Sequence, residues 1–368
     1  MASERLRVLH LSASLVVTNT EYNEHCLPMR HQRDIAICSF SRAAVQVPPE
    51  ITLFEGDGTY RGFWRTLRRA IDAGPYDVVH VHAPRTAVFL IAMSLVRRRS
   101  MAGTVATLHN SWENFKPTAR PLLFAIAATF GAIVSCGRSA AASMPGALRR
   151  LAGARFHVVQ NGTDTERITR ALEGMPLVEH RADRFTVTWV GRMLPRKDPS
   201  TMLEAAELLG EDVELVFIGD GEERAPLERD VARRGLGHRV HVMGLLEREQ
   251  VYKEIAASDL YVSTSKGEGL PVAVLEAMTC GTPVVLSDIP PHREIEGAEL
   301  SFVPVGDPAA FAKAIDRFRS MPLEERQALG RRGKDVVEAG FSLAAMNEGY
   351  DRVYAAVRSA AAGRSTRR

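Results

Sequence analysis

Thr186-Val-Thr-Trp-Val190, the turn Gly191-Arg192 with Lys197, the amphipathic run Thr201 to Leu209 and the apolar run Glu214-Leu-Val-Phe-Ile218 form the stretch on which the fold turns. Its order is a β-branched run, a turn, a helix-length segment and a second β-branched run. That is a strand-helix-strand unit, and such a unit implies parallel strands joined by a crossover helix.

The same alternation extends in both directions. Upstream, strands are predicted near Arg7 to Ser12, Asp34 to Ser39, Asp77 to His82, Thr104 to Leu108, Ala132 to Ser135 and His157 to Gln160. Downstream they are predicted near Val240 to Met243, Leu260 to Ser263, Pro283 to Leu286 and Phe302 to Val305, with helices between. Strands alternating with helices give an α/β chain. The two blocks meet around Gly174 to Arg184, where Pro176 and mixed charges interrupt the period without making a long linker. The expectation is two doubly wound, Rossmann-like domains, 1–175 and 182–340, facing across a cleft, since ligands of such sheets lie beyond the carboxyl ends of the strands. The tail from Gly363 to Arg368 is expected to fray.

Composition excludes several classes. A chain of 368 residues, 45% hydrophobic and 25% charged, is ordinary for a soluble protein of about two domains. A net charge of +3, without an aromatic-and-basic strip or zinc-type cysteine spacing, argues against nucleic acid. Cys26, Cys38, Cys136 and Cys280 are scattered, as expected of buried, reduced thiols in a cytoplasmic protein. The longest nearly apolar run, Pro121 to Cys136, is 16 residues and reads as helix then strand, short of the roughly 20 that span a bilayer. Arginines precede the apolar start at Arg5 to Ser12, but His10 and the lack of a small-residue cleavage site favour a first strand over a signal peptide.

A dinucleotide enzyme needs a glycine-rich turn after its first strand, and no glycine precedes Gly56. Gly219-Asp220-Gly221 is half of that fingerprint, but Arg224 stands where the third glycine belongs, so it reads as a tight strand-to-helix turn. No two aspartates are separated by one residue, so the usual paired-carboxylate metal grip on a diphosphate is missing and no metal is expected. Arg192 and Lys197 are the candidates to neutralise phosphate instead. As an isolated pair they would be solvated cations, but their place at a strand end favours a site. Glu268 and Glu276, with seven residues between them, carry more chemistry. Glu268 is flanked by Gly267 and Gly269, where backbone can approach a ligand, and the amides of Gly269 and Leu270 open a helix after Pro271. Glu276 lies inside that helix among Val272, Val274, Leu275, Ala277 and Met278, either on a narrow solvent stripe or bonded to a ligand.

Gly191-Arg192 with Lys197, Gly219-Asp220-Gly221, and the Glu268 to Glu276 element followed by Cys280-Gly-Thr-Pro-Val-Val285 resemble the retaining glycosyltransferases of family four, with GT-B fold. The match is strongest from Thr186 to Gly306. It continues through His80 and His82, His109 in Ala-Thr-Leu-His-Asn, and Asn161-Gly-Thr-Asp164. The resemblance implies a donor domain in the second half, an acceptor-side domain in the first, and a last helix, 343–361, that packs back on the first. It implies that Arg192 and Lys197 bind the donor diphosphate, that Gly219, Leu245, Gly269 and Leu270 line the donor, and that Glu276 accepts from the ribose hydroxyls. Glu268 and His109 would contact the transferred sugar. Arg192, Lys197, Glu268 and His109 are the catalytic set, with no covalent nucleophile, a front-face substitution and no cofactor beyond a nucleotide sugar. The Glu-Gly-Leu-Pro form of the loop resembles relatives that use uridine donors, so a hexose or N-acetylhexosamine from UDP-sugar is the expectation. A sugar-nucleotide 2-epimerase of the same fold and a non-catalytic sugar-nucleotide binding protein are the alternatives.

The chain departs from the family where many relatives carry a glycine pair after the first strand. Here Thr18, Asn19, Thr20, Asn23 and Glu24 either supply acceptor hydrogen bonds or form a polar surface loop. The acceptor, be it carbohydrate, lipid-linked or small molecule, is not legible. In segment 61–71, Arg61, Arg65, Arg68 and Arg69 share a helix face, with Phe63, Trp64, Leu67 and Ile71 on the rest. Such a helix either buries its apolar side on the sheet or makes peripheral contact with the inner face of a membrane.

Overall fold

The computed structural model describes residues 5–16, 19–173 and 183–365. Thr18, most of the 174–184 junction and residues 366–368 of the tail lie outside the described residues. The chain divides into two compact units, one of Met1–Asn161 with Ala344–Arg368 and one of Gly162–Leu343.

The first unit holds a parallel sheet of seven strands in the order β3-β2-β1-β4-β5-β6-β7. These are β1 Arg7–Ser12, β2 Asp34–Ser39, β3 Thr52–Glu55, β4 Val78–Val81, β5 Thr104–Leu108, β6 Ala132–Ser135 and β7 Phe156–Val158. Six match the sequence reading. The edge strand β3 was not anticipated, because its residues are only half-buried or exposed and show no apolar alternation. Side chains alternate across the sheet, so Ala36 and Cys38 join Leu9, Phe63 and Leu67 on one face while Ile35 and Ile37 join Leu15, Tyr22 and Ile51 on the other. Both faces of β1, β2, β4, β5 and β6 are covered, which is why these strands read as nearly continuous apolar runs.

The second unit holds six parallel strands in the order β10-β9-β8-β11-β12-β13. These are β8 Phe185–Val190, β9 Val213–Ile218, β10 Val240–Gly244, β11 Leu260–Ser263, β12 Val284–Ser287 and β13 Ser301–Val303. Val187, Trp189, Phe217, Leu260 and Val262 pack on one face; Tyr261, Leu275, Val284 and Leu286 pack on the other.

The boundary between the units differs from the one expected at residue 175. Helix Thr165–Glu173 belongs to the second unit, where Ile168 is fully buried and Arg167 Nη2 donates to Tyr252 Oη at 2.7 Å. An apolar residue on a short amphipathic helix binds it to whichever core it covers. Most of the last helix, Leu343–Ser365, lies in the first unit: Tyr354 Oη bonds His80 Nδ1 at 2.7 Å and Tyr350 Oη bonds Thr107 Oγ1 at 3.0 Å. Its helical pattern reaches Ser365, past the point at which fraying was expected.

Phe63, Leu67 and Ile71 of helix Tyr60–Asp72 are buried in the core, in agreement with the reading in which the apolar side packs on the sheet and the arginines face outward. One surface reading needs correction. Asn23 and Glu24 are buried in a π-helical turn, Glu21–Cys26, rather than lying on a surface loop. Cys26, Cys38 and Cys136 are buried free thiols and Cys280 is half-buried. Among the described residues no helix is long and apolar enough to cross a membrane.

Candidate functional site

In the second unit, the turn after β8 and the loop after β11 are stitched together by buried hydrogen bonds. Trp189 Nε1 donates to Thr264 Oγ1 at 3.1 Å, and that hydroxyl is 2.8 Å from the Asp198 carbonyl and 3.1 Å from the Lys197 carbonyl. Lys266 N donates to the Arg196 carbonyl at 2.8 Å. Asp198, in the left-handed region at φ 52°, accepts from Thr201 Oγ1 at 2.6 Å and Ser200 Oγ at 2.9 Å, and pairs with Lys266 at 3.1 Å. The loop therefore has little freedom where Lys197 leaves it.

Lys197 Nζ meets Glu268 Oε1 at 2.5 Å, and Arg196 Nη1 lies 3.9 Å from Glu268 Oε2. Ser265 Oγ donates to the same carboxylate at 2.7 Å. Burial opposes ionisation of Glu268, but the charge and hydrogen bond of Lys197, with Arg196, outweigh it and hold the carboxyl below its ordinary range. Behind it, His292 is fully buried and hydrogen-bonds the Ser287 carbonyl at 2.7 Å through Nδ1. Burial lowers its pKa to about 4, so it is a neutral ring.

Arg192 is exposed on the turn after β8. Gly219 abuts that turn: a Cβ there would lie 1.9 Å from the Gly191 carbonyl oxygen, and its φ is +138°. Gly221 is equally tight, its Cβ position 2.3 Å from the Met193 carbonyl oxygen. Only glycine lets the two turns touch. Gly269 and Leu270 are buried ahead of Pro271, which caps helix Val272–Thr279, and Leu245 is exposed just after β10.

Glu276 belongs to a second group. It is buried, and its Oε1 accepts from Arg248 and, at 3.2 Å, from Tyr252 Oη. Tyr252 Oη in turn accepts from Arg248 Nε at 2.8 Å and Arg167 Nη2 at 2.7 Å. A solvent stripe does not describe it. The structure thus joins Lys197 to Glu268, places Arg192 and Gly219 on adjoining turns, and gives Glu276 its own cationic partners. Sequence reading overlooked Ser265, His292, Arg248 and Tyr252, none of which carries a local signal.

His109 follows β5 in the first unit and sits in a histidine cluster. Parallel register sets His10 opposite His80 across β1 and β4. His10 Nδ1 is 2.9 Å from His82 Nε2, and His82 Nδ1 is 3.0 Å from His109 Nε2. His80 is held by Tyr354 and, at 2.7 Å, by Thr107. His25 packs edge-on to His82. Burial pushes all five rings below the usual histidine range, His10 to about 3. Nitrogens of His10, His80 and His82, and of His25, His82 and His109, lie within 4.8 Å of one another, the spacing of a metal-ligand set, although most of these atoms are engaged in the bonds just given. His80, His82 and His109 stood out in the sequence; His10 and His25 did not.

Residues 26–167 match the family model described as Glycosyltransferase Family 4, and residues 177–336 match Glycosyl transferases group 1. The chain is 27% identical over 291 residues, 74% of either chain, to EpsD of Bacillus subtilis (strain 168). It is 27% identical over 239 residues, 61% of either chain, to the UDP-Gal:alpha-D-GlcNAc-diphosphoundecaprenol alpha-1,3-galactosyltransferase of Escherichia coli. Among solved structures, Anabaena Alr3699/HepE in complex with UDP and glucose superposes with TM-score 0.76 at 18% identity, over 95% of this chain and 99% of that one, a likeness of fold.

Proposed function

We propose that this chain, which belongs to the family-four glycosyltransferases and has their fold of two Rossmann-like domains, moves a hexose or N-acetylhexosamine from a UDP-sugar to a hydroxyl acceptor with retention. The observation that carries the donor assignment is the Lys197–Glu268 pair on a rigid turn beside Arg192 and the close-packed Gly191 and Gly219. An ammonium has three donors, so pairing with Glu268 leaves Lys197 N–H groups for phosphate. Arg192 adds a guanidinium, and together they take the part of a divalent ion on the leaving diphosphate.

Glu268, ionised and fixed, accepts from hydroxyls of the transferred sugar. Glu276 offers a carboxylate to the ribose diol. His109 hydrogen-bonds the sugar. Gly269 and Leu270 amides stand at a helix start, where anions are favoured. The departing diphosphate removes the acceptor proton as an oxocarbenium-like centre forms, and catalysis is positional and electrostatic. The uridine base is supported by the galactosyltransferase relative, whose name specifies UDP-Gal.

The test is incubation with uridine, guanosine and adenosine diphosphate sugars without acceptor, measuring free nucleoside diphosphate beside Glu276→Ala. Slow release from a UDP-sugar, lost in the variant, supports the reading. Release only from another base overturns the uridine assignment, epimerised donor points to an epimerase, and binding without turnover even when acceptors are supplied points to a non-catalytic protein.

A further inference from the structure

Three glycines stand at the carboxyl ends of three neighbouring strands of the second unit. Gly191 follows β8, Gly219 follows β9 and Gly244 ends β10, and the sheet order sets these strands side by side. Their backbones touch: the Cβ position of Gly219 lies 1.9 Å from the Gly191 carbonyl oxygen, and Gly219 N donates to the Gly244 carbonyl at 2.8 Å. Two strand spacings of about 4.8 Å make this a shelf of bare backbone roughly 10 Å long. One end adjoins Arg192 and the other ends at Arg224.

Arg224 opens helix Arg224–Arg233, and its guanidinium lies against Gly244. A Cβ on Gly244 would meet Nη1 at 2.8 Å and both Cζ and Nη2 at 3.0 Å. An approach in the plane of the group, between the two Nη atoms, would leave Cζ clearly farther than either nitrogen, so the glycine lies over the face. Carboxylates draw on the edge: Nε donates to Glu228 at 2.9 Å, and Nη1 is 3.9 Å from Asp220 Oδ2. The Arg224 side chain is 36% exposed, and the residues on either side of Gly244 are large, apolar and open to solvent, Met243 at 45% and Leu245 at 54%. An exposed i,i+4 ion pair contributes little stability. A guanidinium set against the end of a bare shelf, with apolar side chains close by in the chain, suits a planar aromatic ring.

We propose that Arg224 is the stacking partner of the donor's nucleobase, which lies at the β10 end of the shelf. The proposal rests on the donor reading above, in which Arg192 and Lys197 take the diphosphate and Glu276 the ribose. Glu276 is bonded to Arg248, which starts the helix that follows β10, so a base on that ribose has the end of β10 beside it. Asp220 and Glu228 already answer the charge of Arg224, and two strand spacings separate it from the β8 turn; both facts set it apart from the phosphate-binding cations. Arg224 acts on binding of the donor and not on the bond that breaks.

The experiment is calorimetric titration of wild type, Arg224→Lys and Arg224→Ala with the nucleoside diphosphate that wild type binds best and with ribose 5-diphosphate, the same ligand without its base. Lysine keeps the charge and loses the plane. Both variants should bind the nucleoside diphosphate about tenfold more weakly and ribose 5-diphosphate within about twofold of wild type. In 15N-labelled wild type, the Arg224 Nε–H signal should shift by ring current when the nucleoside diphosphate is added and stay in place with ribose 5-diphosphate. That spectrum decides the matter if a variant does not fold. Unchanged nucleotide affinity in both variants overturns the proposal, and an equal loss for the two ligands does so by marking a phosphate or ribose contact. Either result leaves the donor reading standing, whereas a wild type that binds no nucleoside diphosphate overturns both.

Discussion

Lys197 and Glu268, 71 positions apart, meet at 2.5 Å because Thr264 and Lys266 bond the backbone of the turn that carries Lys197. Side chains of both are largely buried. Lys197→Ala leaves the carboxylate without its main counter-charge, which should cost about 3 kcal/mol of stability and lower donor turnover by about a hundredfold or more. Urea titration and nucleoside diphosphate release check this, and Lys197→Ala with Glu268→Gln should lose less stability than the two singles summed.

That pair also sets an acid limit. The Glu268 carboxyl is depressed in the folded chain, so its contribution is complete above its unfolded value, about 4.3, and is lost as pH falls through the lower folded value. Wild type should lose stability in that acid range more steeply than Lys197→Ala, as read by melting temperature against pH.

The histidines act at higher pH. His10 falls to about 3 and its neighbours lie below the ordinary value, so between about 6.5 and those lower values the unfolded chain binds protons that the folded one refuses. Stability should be full above about pH 6.5 and decline by about 1.4 kcal/mol per pH unit per ring below it. Denaturation at pH 7, 6 and 5 measures the slope, and a flat profile would show the rings to be charged or paired.

Gly219→Ala forces a Cβ to 1.9 Å from a backbone oxygen at a φ of +138°. A loss of about 2 kcal/mol or more and a weakened affinity for UDP are expected, to be followed by thermal melting and calorimetry.

Tyr252→Phe removes the hydroxyl that links Arg167 and Arg248 to Glu276 while keeping the ring. If Glu276 holds the ribose, the preference for UDP over 2′-deoxy-UDP should shrink several-fold in competition binding. An unchanged preference would assign that hydroxyl to packing alone.

Helix Tyr60–Asp72 keeps Phe63 and Leu67 inside, so association of segment 61–71 with anionic vesicles should be electrostatic: seen at low salt, abolished near 0.5 M and lost when Arg61, Arg65 and Arg68 become Gln. Sedimentation with vesicles distinguishes this from hydrophobic insertion, which salt would not reverse.

Much of this protein is written in local pattern. Twelve of the strands were legible from their apolar and β-branched runs, most of them buried on both faces, and β3 was not because Thr52–Glu55 borders solvent. Arg192 and Lys197 stood out as cations in the turn after a strand, Glu268 as a carboxylate between two glycines, and Glu276 as a carboxylate inside an apolar helix. What stayed hidden depends on pairing between distant segments. Arg248 and Tyr252 gain meaning only when helix Arg248–Ala257 lies against Glu276, and Ile168 moves helix Thr165–Glu173 into the second unit by burial. By itself, the sequence determined two parallel α/β blocks, the glycine turns and the charged residues of the proposed donor site, since periodicity, glycine and charge act over a few residues. Only the tertiary structure decided which cation holds which carboxylate and how His10, His82 and His109 form one string, because hydrogen bonds reach about 3 Å and only folding brings strands β1, β4 and β5 to that distance.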